Sequence, residues 1–202
     1  PTLMRKFYEN QGEELVRMFR QAQECGVVTS LDVTLPDPQS GSGQADWKKI
    51  LRDVLPYVDI FLPSIEEITF MLDRKLFDQR KIQAGHKDPV LFYTASDSSE
   101  ISKQLIQMGV AVVVLKNGIL GSYLRTADAA RLAQIKGAST WNLDAWAQRE
   151  LWAASYKSDE FGSATGAGDA MIAGFLLAFL RGLDPGKSLK IANMVGWQNI
   201  RK

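Results

Sequence analysis

Apolar positions along the chain switch repeatedly between helical and strand spacing. From Glu13 to Glu24 (EELVRMFRQAQE), Leu15, Val16, Met18, Phe19 and Ala22 form a helical stripe with charges between them, and Gly26 follows as a stop signal. Val27 to Leu31 then predicts a short buried strand closed by Asp32. Leu35 to Gly43 (LPDPQSGSG) is a Pro/Gly/Ser loop long enough to suggest a binding role. A helix over Asp46 to Leu55 follows, with Asp46 as its cap, then a strand over Val58 to Leu62 and a helix over Ser64 to Leu72. Residues 73–95 carry little periodicity and offer only a short strand at Val90 to Tyr93. Ser98 to Met108 predicts a helix stopped by Gly109. Val110 to Leu115 (VAVVVL) is apolar without interruption, which requires burial on both faces, as in a parallel sheet between helices. Gly118 and Gly121 punctuate a turn before a strand at Ser122 to Arg125. Residues 137–161 are mixed, with Trp141, Trp146, Trp152 and a further strand at Ala153 to Lys157. Helices near Gly168 to Arg181 and Pro185 to Ile200 end the chain. Strands alternating with helices give an α/β class, a three-layer αβα sandwich with a mostly parallel sheet.

At 202 residues the chain is long enough for one domain with a sizeable core. Lys and Arg (24) nearly balance Asp and Glu (23), so no global basic field argues for nucleic acid. No apolar run reaches the roughly 20 residues that span a bilayer. The single cysteine, Cys25, forms no intramolecular disulfide and fits a reducing, cytoplasmic setting. The chain opens on Pro1 rather than Met, which raises processing or truncation from the start.

The segment Phe161 to Leu176 (FGSATGAGDAMIAGFL) passes from a small-residue loop into a helix. Its glycines let the backbone turn sharply and let a ligand approach the amides closely. The first N–H groups of a helix have no intrahelical acceptor, so this start is a natural anion site. Asp169 beside it makes sense as a base that takes a proton from an attacking hydroxyl while the amides hold developing phosphate charge. An isolated Gly-x-Gly-Asp is better read as a helix start with an acidic first turn, which the helix dipole favours.

Here the match runs further. Thr165-Gly166-Ala167-Gly168-Asp169, continued by Ala170, Ala173, Gly174 and Phe175, resembles the signature of the ribokinase-like (PfkB) carbohydrate kinases. That family often carries an acidic residue where this chain has Ser163. The resemblance implies Asp169 as catalytic base, with Thr165, Gly166, Ala167 and Gly168 around the transferring phosphate. Ser64-Ile65-Glu66-Glu67 resembles the family's Asn-x-x-Glu, in which Glu67 would help organise Mg²⁺, although Ser-x-x-Glu at a helix start is equally a capping box. Val113 to Gly121 resembles the family's strand and Gly-x-x-Gly turn, which places Lys116, Gly118 and Gly121 along the nucleotide; an ordinary glycine hairpin reads the same way. Asp32, at a strand's end before the long loop, matches an acidic position on the substrate side. Asn193 lies where relatives approach the base, while a lone helical Asn is usually solvent-facing.

The resemblance covers Asp32 to the C-terminus. It implies one partial kinase domain over 1–202, lacking the N-terminal lid region and shortened at the C-terminus. It further implies ATP and a small-molecule sugar as substrates, Mg²⁺ and a monovalent cation such as K⁺ as cofactors, and a homodimer in the full-length form. A nucleotide- or sugar-binding protein without activity, or a nucleoside or vitamin kinase of the same superfamily, are the alternatives. Gly182 to Ser188 imitates a phosphate-binding Gly-Lys-Ser loop but is one residue short and follows a helix, not a strand. His86 is the only histidine, which with Cys25 alone makes a zinc site improbable.

Overall fold

The computed structural model describes residues 2–137, 142–157 and 162–201. The expectations placed on Trp141 and Phe161 lie outside them. The helices are α1 (Glu13–Glu24), α2 (Gly41–Gln44), α3 (Trp47–Val54), α4 (Ile65–Leu72), α5 (Arg74–Ala84), α6 (Ala95–Gln107), α7 (Ala129–Leu132), α8 (Leu143–Trp146), α9 (Ala167–Leu180) and α10 (Pro185–Ile200). The strands are β1 (Ser30–Leu31), β2 (Ile60–Phe61), β3 (Val112–Lys116), β4 (Ser122–Thr126) and β5 (Glu150–Ala153). They form one sheet in the order β1-β2-β3-β4-β5. β1, β2 and β3 run parallel, and an isolated parallel bridge from Ser64 to Lys116 extends the last pairing; β4 and β5 add antiparallel.

The uninterrupted apolar run resolves into two faces. Val113 and Leu115 of β3, with Phe61 of β2, pack into a cluster with Leu15 of α1, Ile50 of α3, Ile65 of α4 and Ile101 of α6. Val112 and Val114, with Ile60, pack on the opposite side against Trp146, Phe175 and Leu189 of α8, α9 and α10. The fold is therefore helix, sheet, helix, and Val112 to Leu115 of β3 are fully buried because both layers close on them. β4 obeys the same division. Arg125 reaches Ser99 and Ser102 of α6 on one face, and Ser122 reaches Asn193 of α10 on the other.

Several expectations are corrected. The strand foreseen at Val90 to Tyr93 is a 3-10 turn, Pro89–Phe92, because Pro89 sets a turn φ and the Asp88 carboxylate accepts from Val90 N at 3.0 Å. The unassigned stretch before it is α5, capped by Asp73. Few apolar side chains hold α5; the Arg74 guanidinium stands 3.7 Å over the Phe70 ring, and Arg80 pairs with Asp97 at 2.7 Å. Helix α6 begins three residues earlier than foreseen, in a capping box between Thr94 and Asp97. The strand expected at Ala153 to Lys157 is β5, which ends at Ala153; beyond it the Ala153 and Ala154 carbonyls accept from Asn193. The loop before α3 holds the single turn α2 and is bonded within itself, Ser40 Oγ donating to Asp37 O and Trp47 Nε1 to Ser42 O.

Gly121 sits at φ +99, and a Cβ there would fall 2.1 Å from the Ala153 carbonyl oxygen. Gly182, at φ +72, has nothing within 4 Å of the same point. Gly182→Ala should therefore cost about 1 kcal/mol, the ordinary penalty of a left-handed residue, whereas Gly121→Ala should cost more than about 4 kcal/mol because backbone must move. Urea unfolding of both variants checks this, and equal costs would refute the steric account.

Candidate active site

The three parallel strands end together, and the residues just past those ends are Asp32 after β1, Ser64 after β2 and Lys116 at the tip of β3. Ligands in open α/β sheets sit beyond these carboxyl ends. Lys116 N donates to Pro63 O at 2.9 Å, which locks the β3 tip to the start of α4. The Lys116 ammonium then reaches across to Asp32 Oδ1 at 2.7 Å. Burial pushes the Asp32 carboxyl up, Lys116 pulls it back, and the nearby charge of Asp169 raises it further.

Ser64 and Glu67 form the full capping box. Ser64 N donates to Glu67 Oε2 at 2.7 Å, and Glu67 N to Ser64 Oγ at 3.2 Å. Burial raises the Glu67 carboxyl, opposed first by Lys116 and with Asp32 adding repulsion. Capping therefore does not remove Glu67 from the charged cluster; it fixes where the carboxylate sits.

Helix α9 completes the cluster. Gly166 caps it at φ 79, a left-handed conformation that suits glycine. A Cβ on Gly168 would stand 4.0 Å from Lys116 Nζ, so the first turn of α9 adjoins the Lys116–Asp32 pair. Asp169 lies in that turn, exposed. Ala167 N turns back to Ala164 O at 3.0 Å, which leaves Gly168 and Asp169 among the outward first-turn donors. The structure thus brings Asp32, Glu67, Lys116, Gly168 and Asp169 into one place.

The remaining candidates have structural duties. Gly118 (φ +52) and Gly121 make the β3–β4 turn, where Asn117 N donates to Gly121 O at 2.9 Å. Asn193 is buried rather than solvent-facing: its Oδ1 accepts from Ser122 Oγ at 2.8 Å, and its Nδ2 donates to the carbonyls of Ala153 and Ala154. Its amide staples α10 to β4 and to the segment after β5. Thr165 offers its carbonyl to Asn199 Nδ2 at 3.0 Å, while Gly162 N and Ser163 N both donate to Ile200 O. Asn199 and Ile200 had no local signal, since the contact joins positions 34 residues apart. Asn117, likewise unforeseen, is fully buried with no partner for its Oδ1.

The chain belongs to the pfkB family of carbohydrate kinases, whose family model matches residues 10–202. It is 27% identical over 173 residues to an uncharacterized sugar kinase of Archaeoglobus fulgidus, across 86% of this chain and 50% of that protein. The structure of phosphofructokinase-2 from Escherichia coli, in complex with substrates and products, is similar with a TM-score of 0.62 at 14% identity, covering 94% of this chain and 46% of that one. A putative ribokinase II from E. coli in complex with ATP and Mg²⁺ gives 0.58 at 20% identity, covering 93% and 47%. These likenesses establish a ribokinase-like fold. The chain spans about half the length of the relatives it matches. Among the described residues no helix is long and apolar enough to cross a membrane.

Glu66, beside the cluster, has its carboxyl raised by burial first, then by Asp88 and Glu67. A raised carboxyl favours the fold when protonated, so its contribution is present below the ordinary carboxylate range and lost as pH rises through the folded value. Glu66→Gln should therefore gain thermal stability relative to the parent on going from about pH 3 to about pH 7. Melting curves of both proteins across that range test this, and a pH-independent difference would count against it.

Proposed function

We propose that the protein transfers the terminal phosphoryl group of ATP to a hydroxyl of a small sugar. The observation that carries the reading is the convergence of Asp32, Glu67 and Lys116 on the first turn of α9 at the carboxyl ends of the parallel strands, in a member of the pfkB family. In this reading Asp169 accepts the proton as the acceptor oxygen bonds to the γ-phosphorus and the bond to the bridging oxygen breaks, the electrons leaving with ADP. Outward amides of the Gly166 to Gly168 turn, joined by that of Asp169, stabilise the charge that develops on the phosphoryl oxygens. Ala167 takes a smaller part, since its N–H serves the loop itself. Lys116 lies on the phosphate side of the nucleotide, and Asp32 on the acceptor side. Gly118, Gly121 and Asn193 shape the wall along which the nucleotide runs.

Mg²⁺ usually keeps waters and takes one or two carboxylates plus substrate phosphates, not a protein cage. The donor set fits that habit, because no group of three metal-ligating side chains gathers among the described residues, while Glu67 stands close by to act through water. Bound there, with Glu67 holding it through water, the ion would supply positive charge that offsets the charge of the phosphates. The putative ribokinase II neighbour was solved with ATP and Mg²⁺, which supports Mg²⁺ as the ion that accompanies the nucleotide. The whole protein would act as a homodimer in the cytoplasm.

Asp169→Asn should lower kcat for ATP-dependent sugar phosphorylation by about 100-fold or more, with ATP affinity within a few fold of the parent. Near-normal kcat would sink the assignment. A second reading, a nucleotide-binding protein without turnover, draws on the Lys116–Asp32 contact, which already occupies the acid on the acceptor side. ATP binding by calorimetry with no turnover across a broad panel of sugars, nucleosides and vitamins would favour it.

A further inference from the structure

Lys116 combines a rigid base with a mobile head. Its backbone is held on both sides, by the parallel bridge to Ser64 and by antiparallel pairing with Ser122. Its side chain is a flexible four-carbon stem carrying a point charge. The ammonium rests on Asp32 Oδ1 at 2.7 Å, and it also lies 4.0 Å from the Cβ position of Gly168, against the N-terminus of α9. The second placement is unfavourable on its own, because a helix N-terminus carries partial positive charge and disfavours a cation. Asp32 offsets that repulsion. Two electropositive groups, the ammonium and the first-turn amides, thus face the same small space.

Resting on the proposed kinase reading, we propose that Lys116 is a γ-phosphate-responsive cation that distinguishes ATP from ADP: it sits on Asp32 until a terminal phosphate reaches the α9 N-terminus, then transfers to that phosphate and uncovers Asp32. The transfer needs no backbone movement, since the ammonium already adjoins the first turn of α9 and only its terminal torsions must rotate. Its direction follows from charge. A terminal phosphate carries about two negative charges near neutral pH, whereas Asp32 carries at most one and is partly withdrawn from water. ADP ends one phosphate short and leaves Lys116 on Asp32. A lysine that merely tied the ends of β1 and β3 together would affect both nucleotides alike.

The test is calorimetric binding of Mg-ATP and Mg-ADP to the protein, to Lys116→Met, to Asp32→Asn and to the double variant. Lys116→Met should weaken ATP about tenfold or more and leave ADP within about threefold. Asp32→Asn, which frees the ammonium without removing it, should raise the ratio of ATP to ADP affinity, and that rise should vanish when Lys116 is also Met. Should Lys116→Met fail to fold, the affinity ratio in Asp32→Asn still decides the matter. Equal losses for both nucleotides, or an unchanged ratio in Asp32→Asn, would overturn the proposal while leaving the kinase reading intact. A parent protein that binds neither nucleotide would overturn that reading and this proposal together.

Discussion

Burial of β3 on both faces is the constraint from which the site follows. Val112 and Val114 face α9 and α10, and Val113 and Leu115 face α4 and α6. Each such side chain contributes about 1.5–3 kcal/mol when taken out of water. A partly buried ion pair loses much of its Coulombic gain to desolvation. The core, not the Lys116–Asp32 contact, therefore positions the strand. Lys116 emerges where the apolar run ends, and with β1 and β2 held in register its neighbours include Asp32, Glu67 and the start of α9. Charged groups that would not assemble by their own attraction are held together by hydrophobic packing one residue away.

That arrangement leaves two carboxylates, Asp32 and Glu67, around one ammonium, with the charge of Asp169 felt at Asp32. Burial and mutual repulsion keep Asp32 and Glu67 easier to protonate than free carboxyls, so the cluster holds its charge at some cost. Like-charge crowding of this kind is characteristic of functional sites rather than of surfaces built for stability. Elsewhere the molecule places its acids conventionally: the carboxylates of Asp46, Asp73, Asp128 and Asp184 each cap a helix by accepting from a backbone N–H of its first turn.

What was legible in the sequence was whatever depended on neighbours along the chain. The stripe of α1, the cap and length of α3, the apolar run of β3 and the glycines before α9 are local patterns, and each produced its element. The helix start at Gly166 to Asp169 was legible for the same reason, as four adjacent residues that end a loop and open α9. Failures fell where tertiary contacts decide. Helix α5 has little apolar periodicity and is held by a few contacts, Phe77 and Leu76 at the core, Arg74 on Phe70 and Arg80 on Asp97. The apolar Val90 to Tyr93 stretch resembles a strand in composition, but Pro89 and Asp88 turn it into a 3-10 turn. The role of Asn193 could not be read from its helix, because its partners are on β4 and beyond β5. The pair of buried Asp59 with part-buried Arg131, which also involves Thr29, has no local signal, since 72 residues separate the two charges.

The loop before α9 takes its shape from the other end of the last helix. Ile200 O receives two of its amides, Asn199 holds the Thr165 carbonyl, and α9 and α10 approach closely enough that a Cβ on Gly174 would stand 3.0 Å from Val195. The signature motif is thus not portable. Grafted onto another helix start, Gly162 to Asp169 would keep its letters and lose its geometry, and a designer borrowing it would have to carry the whole α9–α10 hairpin as the unit of transfer.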